Sequence, residues 1–412
     1  MGTLTNLYSW IGKTLKLTDG DFWQSYYSSD TSTGKVVNAQ TALQLSAVWS
    51  CVRLLSETVA TLPLGLYERD AAGNKLAARA HRLHSVLHDQ PHANFTAVEF
   101  WEVVVAHLAL WGNHYSLITR AGGSVAALEP LHPECVTNIS VSENGRLKYR
   151  IERAGKVDSI DESEVFHVRG FGVSGLVGLS VLGMARQSLG LAMATEESAG
   201  KVFANGMQPS GFVEAPMVLK KEQRDAFRES LNEFTGSSNA GKTLLLEAGM
   251  QYKPLSMNPE DAQMLETRAF NIEEVCRWFR VPPFMIGHTE KSTSWGTGLE
   301  QQMIGFLTFA LRPYLSRIEQ AIKKSLLTPV ERQSLFAEFN LEGLLRADSE
   351  GRAALYSQMA QNGIYTRNEI RSRENLPPID GGDVLTVQSN LISIDQLGKI
   401  QTGGEANADP QK

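Results

Sequence analysis

Two stretches of this sequence carry the glycine spacing that phosphate binding uses. Gly236 to Thr243, GSSNAGKT, fits GxxxxGK[ST], a pattern whose loop amides and lysine cradle phosphates. That chemistry needs the loop to join a buried strand to the start of a helix, because a helix N-terminus supplies unpaired N–H groups. Here the order is reversed. The charged helical stretch LKKEQRDAFRESLNEF precedes the loop, and the strand-like TLLLEAG follows Lys242. No later apolar run ends in the aspartate that would hold magnesium. Gly170 to Gly175, GFGVSG, fits GxGxxG. Glu196 and Glu197 lie about twenty residues on, where a ribose partner belongs. Yet the next helix is expected to open only at Ser180, too late to receive a pyrophosphate. An antiparallel meander, rather than alternating βαβ units, precedes the motif. Both stretches read as turns.

His81, His84, His88 and His92 recur at helical spacing. A metal would want flanking carboxylate or thiolate ligands, and only Asp89 is near, while Pro91 ends the helix before His92. The reading is a solvated helix face. Cys51, Cys135 and Cys276 are far apart and form neither a disulfide framework nor a CxxC pair, which suggests a reducing compartment. No GxSxG nucleophile elbow and no paired acids on strand ends suggest catalysis. The expectation is a protein that is not an enzyme, with no catalytic residue, no cofactor and no metal.

The elements that position these residues are legible in part. Leu43 to Leu62 has apolar residues at helical spacing (Val48, Cys51, Val52, Leu55, Val59) and stops at Pro63; LGLYER follows as a strand. Thr96 and Glu99 form a capping box for a helix to about Leu110, which Gly112-Asn113 releases into the strand HYSLITR. Residues 125–170 read as antiparallel strands, with Asn144-Gly145 as a hairpin turn in which both residues tolerate positive φ. A long helix follows from Ser180 to Ala204, closed by Asn205-Gly206. Residues 207–258 suggest a small β-α-β-β unit, and Asn258-Pro259 opens a helix to Arg280. After a Gly/Ser/Thr-rich loop, Thr297 and Glu300 suggest a capping box for a helix to Leu327, in which Pro313 should cause a kink near 309–312. LFAEFNLEGLL reads as a returning strand. Two short helices, Asp348 to Asn362 and Arg367 to Glu374, follow, and the second is capped by Thr366 with Glu369. The chain turns polar from Gln388.

Composition bounds the function. The 412 residues carry 39 Lys and Arg against 45 Asp and Glu, a formal charge of −6. That argues against gripping nucleic acid with a broad basic surface. The most apolar stretch, Val103 to Trp111, is about half of a membrane span. The N-terminus lacks the apolar core of a signal peptide, and Asn6 breaks the myristoylation pattern.

Six stretches in order resemble the portal, or head–tail connector, proteins of siphovirus-type tailed phages. They are SAVWSCVRLLSETVATLPLGLYER (46–69), TAVEFWEVVVAHLALWGNHYSLI (96–118), GLVGLSVLGMAR (175–186), KVFANGMQPSGFV (201–213), EEVCRWFRVPPFMIG (273–287) and TSWGTGLEQQMIGFLTFALRPYLSRIE (293–319). The resemblance implies an α+β fold. It has an N-terminal arm (1–40), a wing domain (41–183, with a return strand in 328–347), a first stem helix (184–206) and a clip domain (207–261). A second stem helix (262–287), a tunnel loop with a kinked tunnel helix (288–327), a crown (348–387) and a disordered tail (388–412) complete it. It also implies a ring, about twelve subunits in this family, at one capsid vertex. Double-stranded DNA would pass through it during packaging and ejection. Partners implied are the terminase large subunit, the major capsid and scaffolding proteins and a head-completion or adaptor protein, with no membrane. The location implied is the virion, after assembly in the bacterial host cytoplasm. The tunnel-loop residues Lys291, Ser292, Thr293, Trp295, Gly296 and Gly298 are those that would face DNA. The rival reading is a P-loop ATPase, such as a packaging motor, resting on GSSNAGKT.

Overall fold

A computed structural model describes residues 31–204, 211–214, 218, 220–222, 224–226, 250–254, 259–289, 297–341 and 349–386, less Ala72, Ser174 and Asn375. The chain forms two compact units that divide after Phe339.

The first unit starts with residues expected in the arm. Ser32 donates to Gln187 Oε1 from its amide (3.1 Å) and from its hydroxyl (2.8 Å). Helix α1 is Ala39–Ala42 and helix α2 is Ser46–Ala60. The sequence suggested one helix from Leu43. Instead Asn38 and Thr41 close a capping box that starts α1 early, and Leu45 is extended, so α2 begins one turn late. The apolar stripe of α2 is buried as its spacing predicted. Pro63 leads into β1 (Leu64–Arg69), which pairs antiparallel with the short β2 (Lys75–Ala77).

Helix α3 (Arg82–His88) is capped by the His81 ring, whose Nδ1 accepts from the Leu83 amide at 3.1 Å. Helix α4 (Ala97–Trp111) has the Thr96–Glu99 capping box and packs on α2. It is apolar on most sides because it is covered on most sides: Phe100, Trp101, Val104, Val105, Leu108 and Ala109 are all buried. Burying such side chains contributes about 1.5–3 kcal/mol each.

Six strands follow in two three-stranded antiparallel sheets. The first, in order β4-β3-β8, joins Ser124–Leu131, Asn113–Ala121 and Val165–Arg169. The second, β5-β6-β7, joins Val136–Val141, Leu147–Arg153 and Lys156–Asp161. Tyr115, Leu131, Val136, Ile139, Tyr149, Ile151 and Val165 form their shared core. The Asn144-Gly145 turn is present, but only Gly145 takes positive φ (74°). Its amide closes a four-residue turn on the Ser142 carbonyl (2.9 Å), and Ser142 donates to Arg146 O. The extra residue relieves Asn144 of the left-handed conformation a two-residue loop would demand.

Helices α5 (Val181–Ala204) and α6 (Pro259–Phe279) pack together. Between them in sequence, β9 (Gly211–Glu214) pairs antiparallel with β10 (Gln251–Pro254). The Asn205-Gly206 cap, most of the charged helix and the strand TLLLEAG lie outside the described residues. Helix α6 ends one residue earlier than expected. Arg280 takes φ +57° and Val281 N donates to Cys276 O at 3.0 Å, a Schellman closure. Next comes a single helical run in three parts: α7 (Thr297–Gly305), a π-helical turn (Phe306–Leu311) and α8 (Arg312–Ser325). Thr297 is itself the first helical residue rather than the residue before the helix. The kink expected at 309–312 takes the form of the π turn. Strand β11 (Leu335–Phe339) returns to pair with β1, Leu64 opposite Phe339 and Glu68 opposite Leu335. Among the described residues no helix is long and apolar enough to cross a membrane.

The second unit holds α9 (Ser349–Gln361) and α10 (Arg367–Arg373), with the expected Thr366–Glu369 capping box. The Asn368 side chain ties α10 to the chain after it, donating to Ile379 O (3.0 Å) and accepting from Ile379 N (2.9 Å). Arg373 lies over the Tyr365 ring. The stretch from 342 to 348 and the tail from Gln388 lie outside the described residues.

Candidate functional site

The start of β3, the end of β8, the start of α5 and the middle of α8 converge on one junction, and its parts are mostly backbone. Gly112 closes α4 at φ +70°, so the chain turns sharply into β3. A side chain there would sit 2.1 Å from Leu179 O. Gly170 donates to Gly112 O at 2.7 Å. A Cβ on Gly178 would stand 2.0 Å from that same oxygen, and one on Gly170 2.6 Å from it. Three glycines distant in sequence thus let three backbone segments touch.

Asn113 holds the junction from inside. Its Nδ2 donates to Gly178 O and its Oδ1 accepts from Gly178 N, both at 2.7 Å. The same Oδ1 is 3.1 Å from His167 Nε2, and the His167 Nδ1 is 3.1 Å from the Tyr149 hydroxyl. Ser180 caps α5 by accepting from Gly183 N (3.1 Å) and donates to Leu110 O (2.9 Å). From α8, Arg317 Nη1 donates to Gly170 O at 2.6 Å and to Arg169 O at 3.3 Å. The result is a polar, fully bonded knot between sheet and helices, costly to open because its groups are buried.

Beside the knot, His107 and His114 share a hydrogen bond between their Nδ1 atoms (3.1 Å), and His114 Nε2 is 2.7 Å from Ser116 Oγ. Burial, and then His132 nearby, pushes His107 down to about 3. Burial holds His114 and His167 well below the ordinary histidine range, so all three rings are neutral near pH 7. Burial also raises the Tyr149 phenol to about 12. These are structural histidines, His107 on α4 and His114 and His167 on the strands it packs against.

The junction answers the GxGxxG motif on physical grounds. The amides of Gly170, Gly178 and Leu179 already donate to Gly112 O, Asn113 Oδ1 and Phe171 O. Ser180, not a ligand, caps the helix that follows. GSSNAGKT lies outside the described residues. The four histidines do not converge: His81 bonds Glu331 (3.0 Å), His84 stacks on His88, and His88 meets Asp89 (2.9 Å). Among the described residues no group of three His, Cys, Asp or Glu side chains could hold a metal. Of the residues expected to face DNA, Lys291, Ser292, Thr293, Trp295 and Gly296 lie outside the described residues. Gly298 lies in the first turn of α7 rather than in the loop. Sequence reasoning missed Asn113, His167 and Arg317. A polar residue on a strand of mostly buried neighbours, Asn113 on β3 and His167 on β8, was the available signal for the first two.

Comparison with known proteins gives one consistent result. The family model described as phage portal protein matches residues 46–375. The portal protein of Enterobacteria phage HK97 is 39% identical over 90% of this chain and 87% of its own length. The probable portal protein of Streptomyces phage phiC31 is 34% identical over 85% of this chain and 79% of its own length. The fold is shared with a chain in the neck of a native gene transfer agent particle, computed with C12 symmetry. The TM-score is 0.58 at 22% identity, covering 82% of this chain and 92% of that one.

Proposed function

This chain belongs to the phage portal protein family, a structural family that forms the DNA channel at the head–tail neck, and on that premise we propose that twelve copies close into a ring at one capsid vertex. The single observation that carries the reading is the family match across residues 46–375. The symmetry of the gene transfer agent neck supports the number twelve. A closed ring needs heterologous interfaces, one face of each copy meeting a different face of the next.

The parts take these roles in the proposal. Residues 41–183, with β11 returning beside β1, form the wing. Helices α5 and α6 are the stem (184–206 and 262–287), and 207–261 is the clip. The tunnel loop and helix occupy 288–327, and the second unit holds the crown (348–387). The knot at Gly112, Gly170 and Gly178 joins wing to stem and supplies a frame from which the tunnel helix is held. The terminase large subunit docks on the clip during packaging, and a head-completion or adaptor protein replaces it later. The major capsid and scaffolding proteins assemble around the ring in the host cytoplasm, and the protein ends in the virion.

DNA must pass without being held. Every Lys–phosphate contact adds affinity through counterion release, so a strongly basic bore would retain it. A net charge of −6 agrees with weak holding. Lys291, Ser292, Thr293, Trp295, Gly296 and Gly298 are proposed as the segment nearest DNA, Lys291 and Trp295 making passing contacts. Catalysis is assigned to the separate motor and none to this chain. The test is negative-stain imaging of the purified protein together with an ATPase assay. Rings with a central hole and no hydrolysis dependent on Lys242 are expected. Hydrolysis lost in Lys242→Ala would overturn the reading in favour of a motor.

A further inference from the structure

Cys51 and Cys276 lie far apart in the sequence and meet in the fold. Cys51 stands in the buried stripe of α2 with Val48, Val52 and Leu55. Cys276 stands in the last turn of α6, between the buried Val275 and Phe279. The two helices pack together, and the two cysteine side chains share a hydrogen bond. Both thiols are free, and the residues are 0% and 1% exposed. Each sulfur is carried on a fixed backbone. Cys51 is in the middle of α2, and the Cys276 carbonyl takes the Val281 amide in the turn that closes α6. The third cysteine, Cys135, is half-buried and packs against the sheet core instead.

The pair is asymmetric. Cys51 donates its S–H to Cys276. That hydrogen bond, and then burial, pushes the Cys51 thiol up, while the same bond pulls the Cys276 thiol below the ordinary cysteine value. The thiolate is the nucleophile in thiol oxidation, so Cys276 is the sulfur that reacts first and Cys51 the one that resolves it. A solitary buried cysteine is inert because nothing favours its thiolate and no reagent reaches it. Here Cys51 meets the first condition, and the second selects an oxidant not much larger than water.

We propose that Cys51 and Cys276 form a reversible redox lock, a dithiol that hydrogen peroxide converts to a disulfide joining α2 to α6. The Cys276 thiolate attacks one peroxide oxygen, the O–O bond breaks, and the departing hydroxide takes a proton and leaves as water. Cys51 then attacks the sulfur of the Cys276 sulfenic acid. The S–S bond forms, the S–O bond breaks, and the Cys51 proton goes to the hydroxyl, which leaves as a second water. Two thiols lose two electrons, and one peroxide is reduced to two waters. The bond closes a loop of more than half the chain, which restricts the unfolded state strongly. The chemistry is independent of the portal reading. Its use rests on the reading proposed above: the pair stays reduced in the host cytoplasm during assembly and closes in the virion outside the cell.

Peptide mapping of the purified, assembled protein tests the lock without DNA. The protein is treated with hydrogen peroxide, its remaining thiols are capped with N-ethylmaleimide, and its digest is read by mass spectrometry. A linked Cys51–Cys276 peptide is expected, about 2 Da lighter than the two reduced peptides together, with dithiothreitol reversing it. Glutathione disulfide, too large to enter, should form the link at least about tenfold more slowly. The linked chain should stay folded at a urea concentration that unfolds the reduced one, and Cys276→Ala should abolish both the link and this effect of peroxide. If Cys276→Ala does not fold, the map of the unsubstituted protein decides alone. Peroxide that leaves both thiols free, or carries Cys276 to a sulfinic acid with no link, overturns the lock, and so does a link that forms only after denaturation. The use in the virion has a separate readout. Rings taken from cells under acid quench should carry the free pair, and virions from aerated medium the linked one. Virions with both thiols free would overturn that use, whereas a failed portal reading would show as an absence of rings.

Discussion

Replacing Gly178 by alanine adds one carbon atom at the most crowded point of the junction. That atom would lie 2.0 Å from Gly112 O and 2.7 Å from Gly170 N. Both neighbours are backbone, so neither can swing aside, and a carbon–oxygen contact needs more than about 3 Å. The loop must withdraw by more than an ångström, and the two 2.7 Å bonds between Gly178 and Asn113 then cannot both survive. Leaving the Asn113 amide buried with a partner lost costs about 1–3 kcal/mol, and each intact bond contributes about 1 kcal/mol. With one of the two bonds lost the sum is about 2–4 kcal/mol, a large part of the 5–15 kcal/mol that holds a typical domain together. Equilibrium urea unfolding at fixed protein concentration reads this directly; the concentration matters because assembly itself stabilises the fold. Gly200→Ala is the control. It lies in α5 with nothing within 4 Å of the new carbon, and there alanine should stabilise by about 0.5–1 kcal/mol. A Gly178→Ala protein within about 1 kcal/mol of the parent would refute the claim that close backbone approach explains this glycine.

Acid should loosen the sheets of the first unit. His107, His114 and His167 have folded-state values below the unfolded value of 6.5, His107 at about 3. The unfolded chain therefore binds more protons, and stability is full above 6.5 and falls as pH drops toward the folded values. Each ring contributes a slope of at most about 1.4 kcal/mol per pH unit, and urea midpoints between pH 7 and pH 5 for His114→Gln should fall less than those of the parent. Arg280 sits at φ +57°, a conformation that costs a side-chain-bearing residue about 1–2 kcal/mol. Arg280→Gly should stabilise by about 0.5–1 kcal/mol after the extra freedom of glycine in the unfolded chain is subtracted, measured by the same urea midpoint. Lys291→Ala should change how well packaged genomes are retained and leave ring assembly intact; unchanged retention in a genome-release assay counts against a DNA contact at this residue.

What the sequence made legible follows from range. Helices α2 and α4, the Thr96 and Thr366 caps and the Asn144-Gly145 turn depend on residues within a few positions of one another, so spacing alone places them. The pairing of β11 with β1 spans most of the first unit and came only through the family resemblance. The junction was not legible because its three glycines meet in space alone. Gly170 read as part of a motif, Gly112 as a helix end and Gly178 as nothing in particular. Arg317 was not singled out, since its partners are carbonyls, and carbonyls leave no mark in a sequence. Pro313 announced an irregularity near 309–312 but not its form, which is a π turn over Phe306–Leu311. The motifs that looked most like chemistry mislead for a related reason. A glycine pattern records where backbone must come close, and at Gly170 the partner is the protein's own main chain.

The central claim is a DNA channel at a single vertex. An asymmetric cryo-electron microscopy reconstruction of capsids assembled with this chain, its coat and its scaffold tests it most directly. The account predicts one ring of this chain at one vertex, with duplex density through its bore in packaged particles. Particles in which the chain is absent, or sits at every vertex, or forms no ring, would contradict it.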